Sequence, residues 1–135
     1  MFSRTGENSI FRVMEKLPFI KHDGIKTNAW FQISHYIMSG EMAVELMTDE
    51  PDEDGDHCYM VLSHALPGYC LPPNQIFLDS WVDAHVIGWL KENHLGRMLK
   101  PVRYNMGSYR IFAFNKNAER YFDYADEEEG GDLDA

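Results

Sequence analysis

The residues best equipped for chemistry lie between His35 and Asp79. Cys58 and His64 are six positions apart, so in an extended chain they point to the same side. With His35 on a neighbouring strand, they would make a His/His/Cys set suited to zinc or iron. The spacing argues against a closed zinc site, which uses C-x₂₋₄-C or H-x₃₋₅-H. No CxxC occurs, and His57 falls on the face opposite Cys58 and His64. A packed cysteine beside satisfied histidines is the simpler reading.

Nucleophilic chemistry finds little to work with. Ser63 and His64 are adjacent, so on a strand they face opposite ways and form no dyad. No G-x-S-x-G elbow occurs, and the only paired glycines are Gly130-Gly131, so there is no phosphate loop. Asp79, at a strand end ahead of a helix, is placed like a catalytic carboxylate and equally like a helix cap; the cap is the simpler role. No catalytic residue and no cofactor is assigned.

The acidic run Asp49, Glu50, Asp52, Glu53, Asp54 and Asp56 invites a calcium loop. With Gly55 at position six, Glu50, Asp52, Asp54 and Asp56 take positions one, three, five and seven. Position twelve is then Val61, where a bidentate Glu is required, and the flanks read as strands. The run is expected to be a solvated hairpin loop and not a metal site.

Charge layout speaks to partners. The net charge is −10. Thirteen of the 22 acidic residues lie in two stretches free of Lys and Arg, Asp49–Asp56 and the tail from Asp123, which includes Glu127, Glu128 and Glu129. That leaves nine acidic against 12 basic residues elsewhere, a body of +3. Nucleic-acid phosphates would meet the two appendages as like charge, whereas a protein with a basic surface would meet its complement. The alternative is a nucleic-acid module in residues 97–110, where Arg97, Lys100, Arg103 and Arg110 interleave with Tyr104 and Tyr109 as in single-strand binders. Tyr69 and Trp81, in and just after a proline-rich segment, are further candidates for partner docking, since aromatics anchor interfaces.

The elements that must hold these residues follow from periodicity. Ile10, Val13, Met14 and Leu17 have helical spacing, with a strand as the alternative, and Pro18 is expected to end the element. Trp30–Met38 and Glu41–Thr48 alternate around Ser39-Gly40 and predict a β-hairpin, with Phe31, Ile33, His35 and Ile37 on the apolar face. Asp56–Leu66 adds a third strand of a meander. Leu66–Asn74 carries three prolines and leaves the sheet, and Ile76–Asp79 is a short strand that rejoins it. A capping box at Ser80–Asp83 opens a helix to Asn93, with a stripe of Val82, Val86, Trp89 and Leu90. Leu99–Tyr104 and Ser108–Phe114 form a second hairpin, and Asn115 caps a last helical turn to Tyr121.

The expected fold is α+β, a small, mainly antiparallel sheet of five or six strands with one main helix on a face. A chain of 135 residues with 44% apolar content is long enough for one core-bearing domain, 1–122, followed by a disordered acidic tail, 123–135. No apolar run reaches the ~18 residues of a membrane span, and MFSRTGENSIF lacks the apolar core of a signal peptide. Two cysteines are too few for a disulfide framework. A soluble cytoplasmic protein is expected.

Several short motifs add a resemblance. Ala43–Met47, Val61–Leu66, Pro67-Gly68-Tyr69, Leu71, Pro73-Asn74, Phe77-Leu78-Asp79, Trp89-Leu90 and Asn93-His94-Leu95-Gly96 resemble, in order and spacing, a bacterial domain-of-unknown-function family (number 4313). The similarity runs from Trp30 to Tyr121. It departs at Ser80-Trp81 and at Gly107-Ser108-Tyr109. The family has no assigned activity, so the resemblance implies context: a bacterial cytoplasm and an accessory role on mobile elements or phage. The expected function is a non-enzymatic interaction protein, such as an acidic decoy or inhibitor of a host defence or nucleic-acid-handling protein. A small metal-dependent enzyme at His35, Cys58 and His64 is the remaining alternative.

Overall fold

Short alternating runs divided by Gly, Pro and Asn build a protein made mostly of strands. The computed structural model describes residues 15–125. Its strands are β1 (Leu17–Ile20), β2 (Lys26–His35), β3 (Met42–Thr48), β4 (Cys58–Val61), β5 (Ser63–His64) and β6 (Gln75–Leu78). Helix α1 (Ala84–Glu92) follows, then β7 (Gly96–Tyr104) and β8 (Gly107–Phe114). A 3₁₀ helix (Lys116–Tyr121), capped by Asn115 as expected, leads into β9 (Phe122–Tyr124). The α+β class, the antiparallel bias and the single main helix are as expected. The strands, however, divide between two sheets.

In the first sheet β2, β3 and β4 form the expected antiparallel meander. Along the outer edge of β2, β1 pairs antiparallel with its first half and β9 parallel with its second. In the second sheet the order is β5-β6-β8-β7, all antiparallel. Leu62 joins the two: its N–H donates to Val44 O at 2.9 Å, and its carbonyl accepts from Asp79 N at 2.9 Å. The run expected as one strand, Asp56–Leu66, is therefore broken there, with its halves in different sheets.

The two sheets and α1 share one core. Phe31 and Phe114, from opposite sheets, meet at 5.5 Å between ring centroids, and Phe122 closes on both. Val86 and Leu90 bring in the helix, and Trp89 packs edge-on to Phe19 at 4.9 Å. The other face of the second sheet carries a smaller cluster, in which Leu66, Tyr69 and Leu71 of the proline-rich crossover cover Phe77 and Ile111. A bulge at Lys100-Pro101 keeps Leu99 and Val102 both over this cluster, because it slips β7 by one residue against β8.

Several boundaries differ from expectation, each for a local or long-range reason. Leu17 and Pro18 lie within β1, and the carbonyl of Pro18 turns outward to accept from Trp89 Nε1 at 2.8 Å. A proline is tolerated on such an edge. Of the helix expected over Glu7–Leu17, residues 7–14 lie outside the described residues, residues 15 and 16 are not helical, and Leu17 opens β1. The first hairpin closes early: Tyr36 N–H bonds to Glu41 O and Gly40, at φ +75°, turns the chain. Ile37 is thus 90% exposed and His35 is exposed at a strand end, not set in an apolar face. The helix starts three residues late, with Asp83 and not Ser80 as its cap, its carboxylate accepting from Val86 N at 3.2 Å. Arg110 holds the preceding turn by donating to Val82 O and Asp79 O at 2.8 and 2.7 Å. Finally, β9 carries the folded body past residue 122, so Asp123 belongs to the sheet and not to the tail.

Candidate functional site

The acidic loop between β3 and β4 is internally wired. Asp52 Oδ1 accepts from Asp54 N and Asp56 N at 2.8 and 2.9 Å, and Asp56 Oδ1 accepts from Cys58 N at 2.9 Å. Gly55, at φ +85°, closes the turn. Asp49 is tied to Lys16 at 2.7 Å, a hydrogen bond that holds its carboxyl below the ordinary range. Glu50, Glu53 and Asp54 are exposed. The flanks are strands and Val61 lies in β4, which is not the helix–loop–helix frame of a calcium site.

The histidine and cysteine set is not assembled. His35 pairs with Met42 at one end of β3, whereas Cys58 pairs with Met47 near the other. Five residues of strand separate those positions by ~16 Å. His64 lies in the second sheet, beyond the break at Leu62. Among the described residues no group of three or more His, Cys, Asp or Glu is placed to hold a metal ion. Burial pushes the Cys58 thiol up to about 11, with Glu45 and Asp56 adding to the effect, so it resists ionising to the form that binds metal.

The docking candidates separate as well. Tyr69 is a packing residue, edge-on to Phe77 at 5.2 Å and to Tyr104 at 6.3 Å. Trp81 is 56% exposed, with its indole N–H anchored on Val61 O at 2.8 Å. It lies against the open edge of β4. Glu127, Glu128 and Glu129 fall outside the described residues.

The basic stretch takes on structural work. β7 is an exposed edge strand, and Arg97, Lys100, Arg103 and the Pro101 bulge are devices that discourage strand addition there. Tyr104 is bound to Pro67 O at 2.6 Å, and Tyr109 stacks on His64. Each of these aromatics therefore has an intramolecular partner.

Three features escaped sequence reasoning. Glu41, expected on the polar face, is 8% exposed, and its Oε2 accepts from Leu71 N at 2.6 Å, so it pins the crossover to the first hairpin. Beside it opens an apolar cleft of about 780 Å³ between the hairpin tip, Tyr36–Ser39, and the crossover, Ala65–Cys70. Ile37 and Met38 stand on its rim, 90% and 96% exposed. A signal for it exists: residues 36–40 and 65–73 contain no charge, in a chain that is 25% charged. A third group, His22 with Tyr59 and Asp83, looks catalytic but is a tie. One ring nitrogen of His22 meets Tyr59 Oη and the other lies 2.8 Å from Asp83 Oδ2, so neither is left for a substrate.

Compared with protein-family models, with curated proteins and with solved structures, the chain matches none. Its described part is a two-sheet α+β domain that carries an acidic loop and an apolar cleft on its surface. No helix among the described residues is long and apolar enough to cross a membrane.

Proposed function

We propose that the chain is a non-enzymatic interaction protein, acting in the bacterial cytoplasm as an accessory of a mobile element or phage. The observation that carries this reading is the uncharged cleft with Ile37 and Met38 exposed on its rim. Isolated apolar residues on a surface are ordinary, but two nearly bare ones beside an apolar cleft form a docking patch. The acidic loop supplies the sign of the partner. It lies at the other end of β3 from the hairpin tip, ~23 Å along a seven-residue strand. A partner of ordinary interface size reaches both. Exposed carboxylates at the rim would speed encounter with a basic surface, and the cleft would hold it. A host defence or nucleic-acid-handling protein presents such a surface, and the chain would act on it as a decoy or inhibitor. The mobile-element context comes from the motif resemblance alone.

The test is capture from a bacterial lysate with three baits at low and high salt. Wild type should retain a basic protein. Ile37→Asp with Met38→Asp should lose it at both salts. Neutralising Glu50, Glu53 and Asp54 to their amides should weaken capture mainly at low salt, because exposed charges act through screened attraction. Capture indifferent to both sets of changes would sink the reading.

A further inference from the structure

We propose that the polar pocket where β5, β6 and β8 converge is a binding site for a phosphate oxyanion, free or as the monoester of a small molecule. The pocket has a volume of about 410 Å³ and is lined by His64, Asp79, Ser80, Ser108, Tyr109 and Arg110. It lies apart from the cleft and the acidic loop, and it stands independently of the docking function.

His64 is oriented from two sides. Its Nδ1 lies 3.5 Å from Asp79 Oδ2, and its ring stacks on Tyr109 with 5° between planes and 5.9 Å between centroids. With Nδ1 turned to an acceptor-only carboxylate, the ring has to be protonated for its Nε2, which has no protein partner among the described residues, to donate to an anion. The Asp79 carboxylate opposes an anion, but it is already engaged. Its Oδ1 accepts from Ser80 N at 2.7 Å, its Oδ2 faces His64, and its side chain is 13% exposed. Arg110 uses two of its five N–H groups on Val82 O and Asp79 O, which leaves three donors. Arg103, directly across the β7–β8 pairing from Ser108, adds a second cation at the rim. The hydroxyl of Ser108 makes no hydrogen bond within the described residues and can donate, while Tyr109, its neighbour on the other face of β8, contributes its ring to the stack on His64.

Arg110 in the lining and Arg103 beside Ser108, against one engaged carboxylate, give this corner a positive balance in a protein whose net charge is −10. Donors from three strands converge on one small space, with few acceptors left to repel an anion. A phosphate, with several acceptor oxygens, uses such a set more fully than a carboxylate with two. Cations and hydroxyls of this kind recognise the oxyanion whether it is free or esterified.

The experiment is a ¹H–¹⁵N titration of the full chain, following the His64 ring and the amides of Ser108–Arg110. One arm uses inorganic phosphate and a second a nucleoside monophosphate, each beside sodium chloride at equal ionic strength. Saturable shifts confined to the pocket, and not reproduced by chloride, are expected. Tighter binding in the second arm would assign an esterified phosphate, and equal affinity the free oxyanion. His64→Gln and Ser108→Ala, both at exposed positions, should each weaken binding by roughly tenfold. Shifts reproduced by chloride, shifts without saturation, or full affinity in the double variant would each overturn the proposal.

Discussion

Two glycines eight residues apart should answer the same substitution with opposite signs. Gly88 lies inside α1, where a glycine costs about 1 kcal/mol relative to alanine. A Cβ built there meets nothing within 4 Å, so no packing need offsets that cost. Gly88→Ala should stabilise the protein by about 1 kcal/mol, or about 3–5 °C in Tm for a chain of this size. Gly96 opens β7 opposite Phe114. A Cβ there would fall 2.1 Å from Ala113 O and 2.7 Å from Phe112 Cε2. The first is backbone, and the second belongs to a ring that is 0% exposed, so neither can swing away. β7 must lift from β8, giving up ladder bonds worth about 1 kcal/mol each on top of about 1–3 kcal/mol of overpacking. Gly96→Ala should therefore destabilise by about 3 kcal/mol or more. Urea denaturation of both variants measures this, read from midpoints at an unchanged slope. A neutral or destabilising Gly88→Ala would refute an open helix flank. A Gly96→Ala variant within about 0.5 kcal/mol of wild type would refute the close approach of β7 and β8.

Other perturbations test separate parts of the fold. Met106, fully exposed at φ +65° in the two-residue turn between β7 and β8, should gain about 1 kcal/mol on Met106→Gly, seen as a higher urea midpoint. Arg110→Met removes two charge-assisted bonds to the turn before α1 and should cost about 3 kcal/mol; a thermal melt unchanged from wild type would discount that staple. The Glu45 carboxyl is pushed above its ordinary value of 4.5 by burial and then by Asp56, so folding disfavours its ionised form. The native state binds more protons than the unfolded state in that range, and stability is lost as pH rises through it. Glu45→Gln should be more stable than wild type at neutral pH, with the difference vanishing below about pH 4. A maleimide at neutral pH should label exposed Cys70 first. Cys58, with its thiol moved from 9.0 to about 11, has about a hundredfold less thiolate than an ordinary cysteine, so equal labelling rates would contradict its burial.

Much of the local structure was legible in the chain. The alternation of Met42, Val44 and Leu46 against Glu45 is enough for a half-buried strand, and Ser39-Gly40 is enough for a turn beside it. Asn115 three residues before Ala118 was readable as a cap, since its side chain needs only a near neighbour. The acidic loop was readable too, because Asp52 satisfies the amides of Asp54 and Asp56 within the loop itself. Each of these rests on interactions a few residues long.

The rest depended on residues far apart in sequence. Cys58 and His64 share a parity, but parity holds only within one unbroken strand, and Leu62 breaks it by bonding to Val44 on one side and Asp79 on the other. Ser80 has the look of a cap, yet Arg110, thirty positions on, holds the turn before α1 and moves the start to Asp83. Glu41 has the look of a solvent-facing residue until Leu71 descends on it. Local propensity determined the central strands and the helix, whereas β1 and β9 became strands by pairing along the outer edge of β2. Only the tertiary structure decided which sheet each strand joined and which charges were buried. The reason is physical: those choices minimise unpaired buried groups across the whole chain, a sum that no short window of sequence contains.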